Sequence, residues 1–197
     1  MPGEVAREAK KFEPLLRALP AGLRLPLLDL SMPALRLLSA EQQALFRLAL
    51  EKVGYDADDG LIVLLIQASM RRYLSKEKIP ASCVGDLPAA CGLVLSAVVQ
   101  TSSETPAAQV EAYQLGAGLL GLPGLSSTMI AAEQVDLQKV DEALGVIAGQ
   151  AVYDRRKFVR ACGAAMLNDG KAEEAEIEIV RAVADSLGIS FATGVGR

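Results

Sequence analysis

The chain has 197 residues, 51% of them apolar, and a formal charge of −4. That length and apolar content suffice for one buried core, and the mild acidity argues against a protein that tracks a phosphate backbone. The sequence contains no His and no Trp, which excludes a His-based triad, imidazole proton transfer and zinc sites built on imidazole.

The N-terminal residues Met1-Pro2-Gly3-Glu4 open a charged stretch, not the apolar stretch of a secretory leader. Glu4 to Leu19 reads as a first helix, closed by Pro20-Ala21-Gly22. Leu25 to Leu38 is dense in Leu. Pro26 suits a first helical turn there, and Pro33 either kinks the helix or starts a second one. Ser39 and Gln42 make a capping-box pattern for a helix to about Val53. Gly54 to Gly60 is an acidic turn. The apolar run from Leu61 fits a strand or a buried helix by pattern alone, but its continuation to Leu74 predicts a helix.

Ser75 to Asp86 is a loop, and Leu87 to Gln100 is a further apolar helix. Thr105-Pro106 is a cap followed by a first-turn proline and opens a helix to about Gly121. Ala112 to Ala132 carries no charge. Gly121-Leu122-Pro123-Gly124 breaks it, so it reads as a buried helix and a turn and not as a membrane span. Asp136 caps the helix Leu137 to Ile147, and Asp154 caps the next. Asn168-Asp169-Gly170 is a tight turn.

The last helix places Ile177, Val180, Ala184 and Leu187 on one face and Glu174, Glu178, Arg181 and Asp185 on the other. Gly188 is its stop. No alternating strand pattern occurs. The expectation is an all-α, compact bundle of about eight or nine helices. Residues 1–22 form an N-terminal helix and linker, 23–188 a single domain, and 189–197 a frayed tail.

Aligning Asp59-Gly60 with Asp169-Gly170 gives a weak repeat of helix, acid-Gly turn and helix, near residues 40–74 and 154–188; Arg71 then matches Arg181. Neither turn is an EF-hand, because Ala165 and Leu167 in one and Tyr55 and Ala57 in the other stand where ligands are needed. A looser divalent-cation site from Asp169, Glu173 and Glu176 is one reading. An ordinary turn followed by an acidic first helical turn is the other. Arg155, Arg156, Lys157 and Arg160 form a basic cluster without interleaved aromatics. It reads as a solvated face, or as a docking patch for an acidic partner or lipid headgroups, and not as a nucleic-acid site.

Gly116-Ala117-Gly118-Leu119-Leu120-Gly121 matches GxGxxG formally, yet it follows no strand and lies in a helical pattern. Cys83, Cys91 and Cys162 have no CxxC spacing and read as buried thiols in a reducing compartment. No nucleophile with a base and no cofactor loop is present, so this chain is read as non-catalytic and without a cofactor of its own.

Ala161 to Gly188 resembles the helical signature of TerB-like, tellurite-resistance-type domains: a small-residue helix, Asp-Gly, an acidic first turn, and an amphipathic helix ending in Leu-Gly. Leu23 to Val53 resembles the region after the catalytic part of bacterial HtpX-like and CAAX-prenyl-endopeptidase-like membrane zinc metallopeptidases. The chain has no His-Glu-x-x-His, so none of that family's catalytic residues carries over. The resemblance implies a non-catalytic C-terminal accessory domain, with zinc and membrane spans only in a parent protein, and the reading of the cysteines as reduced thiols favours the cytoplasmic side. Its partner would be the parent's catalytic domain or another protein. Leu23 to Leu38 would be its packing spine and Arg155 to Arg160 its contact patch. Two alternatives stand beside it: a free-standing TerB-like stress protein holding a divalent cation at Asp169, Glu173 and Glu176, and a helical adaptor or homodimer.

Overall fold

The computed structural model describes residues 2–52, 60–74, 85–102, 105–171 and 173–190. They form nine α-helices, one 3-10 turn and no strand. The helices are α1 (Pro2–Arg17), α2 (Ala21–Arg36), α3 (Ala40–Glu51), α4 (Gly60–Leu74), α5 (Leu87–Val99), α6 (Pro106–Leu120), α7 (Leu137–Ala148), α8 (Val152–Met166) and α9 (Glu174–Ser186). The acidic turn around Asp59, the Pro80 loop and Cys83 lie outside the described residues.

Most helix starts follow from local chemistry. Ser39 and Gln42 form the reciprocal capping box of α3. Thr105 and Asp136 accept from the backbone N–H of Ala108 and Gln138 and cap α6 and α7. Asp86, expected as the end of a loop, caps α5 through Ala89 N–H. α8 departs from expectation: its cap is Ala151, and Asp154 sits inside the first turn, where its charge faces the positive end of the helix dipole. α2 runs unbroken through Pro26 and Pro33, so Pro26 is not in the first turn. The carbonyls these prolines leave without an N–H belong to Gly22 and Asp29, both exposed, and water can take them.

The helix ends share a device. Basic and amide side chains from neighbouring helices donate to carbonyls left open at C-termini. Arg47 donates to Leu74 O at 3.0 Å, Gln67 to Leu50 O at 3.0 Å, Lys157 to Leu120 O at 2.6 Å and Arg155 to Leu187 O at 2.5 Å. The α9 end is a Schellman motif: Ile189 N–H donates to Ala184 O at 2.8 Å, Gly188 N–H to Asp185 O at 3.0 Å, and Gly188 has φ +63°. Ile189, expected in the tail, is buried in the core, and residues 191–197 lie outside the described residues.

α5 is the centre of the core and packs on α6, α7 and α8. Its Val94, Leu95 and Val98 are fully buried. α6 lies on α8 at Gly116, where a Cβ would stand 3.2 Å from Ala161 O and 3.0 Å from a Leu95 methyl. The connection from Gly121 to Asp136 is held from the core. Tyr113 donates to Ser126 O at 2.9 Å, Ser96 accepts from Ile130 N–H at 3.0 Å, and Gln100 donates to Ile130 O at 2.6 Å. Cys91 and Cys162 are buried free thiols. Burial pushes Cys91 up to about 12 and raises Cys162 as well.

α9 packs on α4, α8 and α2. The two helix pairs of the aligned repeat, α3–α4 and α8–α9, therefore meet through α4 and α9. The polar face expected of α9 is not a solvated one. α2 lies on this helix, Arg181 pairs with Asp29, and Glu178 is buried. Among the described residues, no helix is long and apolar enough to cross a membrane.

Candidate functional site

The basic cluster on α8 does not form one patch. Arg155 and Lys157 are partly buried, and each is spent on a helix C-terminus. Arg156 and Arg160 are exposed on the outer side. The reason is helical spacing: residues 155 and 156 are about 100° apart, so adjacent charges cannot share a face.

The carboxylates expected as a cation site take turn and cap roles in the structure. Asp169 accepts from Lys171 N–H at 2.8 Å and shapes its turn. Glu173 and Glu176 form a capping box, with Glu173 N–H donating to Glu176 at 3.3 Å, and Glu176 is buried. Among the described residues, no three His, Cys, Asp or Glu side chains gather where they could hold a metal ion. Turn and cap geometry, rather than a shared ligand, accounts for their spacing.

The formal GxGxxG resolves into three unrelated jobs. Gly116 permits close helix packing, Gly118 faces open space, and Gly121, at φ +54°, ends α6 in the left-handed conformation.

What the fold does assemble is a cleft of about 420 Å³ between α2, α4 and the C-terminal end of α9. Asp29 and Arg36 line it from α2, Arg72 and Tyr73 from α4 and Asp185 from α9, with Met32, Pro33 and Ile189 as apolar wall. Arg181 pairs with Asp29 and lies 3.8 Å from Asp185. Burial, then the neighbouring Asp29 charge, pushes Asp185 up to about 6 against the opposing pull of Arg181. Arg36 is stacked over the Tyr73 ring, 4.1 Å from its centre. Arg72 lies against Gly188, where a Cβ would stand 2.0 Å from its guanidinium.

Arg72 Nη1 and Arg155 Nε are buried without a hydrogen-bond partner among the described residues. Burial and the adjacent Arg155 charge lower the Arg72 pKa. No local sequence signal announces this cleft, because its walls come from three helices far apart in the chain.

Leu23 to Leu38 was expected to pack as a spine. Among the described residues of α2, only Leu25 and Met32 are buried. Leu23, Leu27, Leu30 and Leu37 are exposed, Leu30 by 79% and Leu37 by 87%. With the exposed Ala34 they repeat at spacings of four, three, four and three, which is the seam of a helix that meets another helix. α2 thus has two apolar faces, one against α4 and α9 and one in solvent. Phe12, Leu15 and Leu16 of α1 and Leu45 and Leu48 of α3 are exposed as well.

Comparison with protein-family models, with curated proteins and with solved structures returns no match.

Proposed function

We propose that this chain is a non-catalytic docking domain that receives an apolar helix of a partner protein along the outer face of α2. The partner we infer is the catalytic part of a membrane-bound zinc metallopeptidase, as the resemblance of Leu23 to Val53 implies. One observation carries the docking role: four leucines at heptad spacing stand in water on a helix whose opposite face already supplies the core. A monomer seldom leaves such a stripe uncovered, because apolar surface of this kind favours association. The 4-3-4-3 repeat selects a helix as occupant, since each leucine then fills a hole between residues of the facing helix. The accessory role is consistent with Arg155 and Lys157 of α8 and with Glu173 and Glu176 at the start of α9, which serve helix ends.

The test places a benzophenone amino acid at Leu30 or Leu37 in the cells of origin and identifies the photo-adduct by mass spectrometry. The expected adduct joins α2 to a helix of a zinc metallopeptidase, and the same probe at exposed Arg160 gives none. An adduct only with a second copy of this chain would replace the peptidase reading with self-association. No adduct at either leucine position would overturn the docking role.

A further inference from the structure

We propose that the cleft between α2, α4 and the end of α9 binds a phosphoryl dianion, free phosphate or a phosphate monoester, through Arg36 and Arg72. This inference does not rest on the docking role of the outer face of α2. It starts from charge. The cleft is lined by Asp29, Asp185, Arg36 and Arg72, and Arg181 beside it pairs with Asp29 and lies 3.8 Å from Asp185, so both carboxylates already have a partner that is not Arg36 or Arg72. Arg155 adds a third positive charge behind Arg72, because its Nη1 donates to Leu187 O while Arg72 lies on Gly188, the next residue. No carboxylate among the described residues comes within ion-pair distance of Arg36, Arg72 or Arg155.

Two guanidiniums held side by side repel each other, and a buried N–H without an acceptor is costly. The helix C-terminus offsets part of this through the negative end of its dipole. It leaves Arg72 Nη1 without an acceptor. Arg36 and Arg72 both line the cleft, so an oxyanion entering it offsets the charge of both, and a guanidinium fork suits phosphoryl oxygens. The surroundings add shape. Arg36 is held in place by its stack on Tyr73, and Ser69 and Ser190 add hydroxyl donors at the rim. Met32, Pro33 and Ile189 offer an apolar wall to a group esterified to the phosphate. A volume of about 420 Å³ admits a small monoester.

The experiment is calorimetric titration of the full chain with inorganic phosphate and, separately, with phenyl phosphate, at constant ionic strength set with chloride. Saturable binding at one site is expected. Arg72→Gln and Arg36→Gln should each weaken it at least about tenfold, the loss of a charge-assisted bidentate contact. The double variant Arg156→Gln/Arg160→Gln, on the exposed side of α8, should bind as the unaltered chain does. Thermal melts without anion guard against misfolding, because removing the under-satisfied Arg72 charge should leave the midpoint unchanged or higher. Tighter binding of phenyl phosphate would assign a monoester, and equal binding would assign free phosphate. No heat with either probe up to about 10 mM, or equal binding by the Arg72 and Arg36 variants, would overturn the site.

Discussion

Two glycines, Gly116 and Gly118, four and two residues before the end of α6, have opposite roles although they sit two apart. A methyl at Gly116 would meet the Ala161 carbonyl at 3.2 Å and Leu95 at 3.0 Å, and the carbonyl belongs to the backbone of α8 and cannot swing aside. Gly116→Ala should therefore destabilise the protein by about 1–3 kcal/mol, the usual range for overpacking. Gly118 has nothing within 4 Å of the place a Cβ would take, and its φ is negative. Gly118→Ala should stabilise by about 0.5–1 kcal/mol, because Ala loses less backbone entropy in a helix. Urea denaturation of the two variants decides it; a loss of stability at both positions would mean that α6 packs differently from the description given.

At the scale of elements, α2 is the helix whose two faces must be told apart. Leu25 is buried, and Leu25→Ala should cost about 2–5 kcal/mol. Leu30→Gln and Leu37→Gln should change the stability of the isolated chain by no more than about 0.5 kcal/mol, since both side chains already stand in water. Chemical denaturation of the three variants checks this, and a large loss at Leu37 would show that the outer face is covered within the chain itself.

The same helix marks the limit of reading the sequence. The all-helical class and the caps at Ser39, Thr105 and Asp136 followed from local rules, because a cap is decided by residues within one turn. The uncharged stretch after Ala112 divides into a helix and a turn at Gly121, again a local signal. The burial of Cys91 and Cys162 followed from their apolar flanks. What did not follow was partnership between distant helices. Leucine density marks α2 as apolar but does not say which leucines meet α4 and α9. In the same way, the polar face of α9 looks solvated until Asp29 arrives from α2, 152 residues away. Arg155 and Lys157 look like a surface patch until the ends of α9 and α6 take them.

The whole molecule turns on the junction where α2, α4 and α9 meet. There Arg181 stands between Asp29 and Asp185, so one guanidinium answers two carboxylates. The sign of the consequence is set by Asp185, whose folded value of about 6 lies above the roughly 3.9 of an unfolded Asp. A raised acid favours the folded state fully below the unfolded value, and that contribution is lost as pH rises through the folded one. Ionised Asp185 therefore works against folding above pH 6, because Arg181 only partly answers its burial and the neighbouring Asp29 charge. Asp185→Asn keeps the shape and removes the charge. Its melting temperature should match that of the unaltered chain near pH 4 and move ahead of it between pH 4 and 7. At pH 8 the lead should be about 2–4 °C, the shift of roughly 1 kcal/mol in a chain of this size after solvent screening of a partly exposed group. Thermal melts from pH 4 to 8 measure the lead directly. A lead that stays constant across that range would mean that Asp185 is solvated in the folded protein, and that Asp29 alone holds α2 to α9 through Arg181.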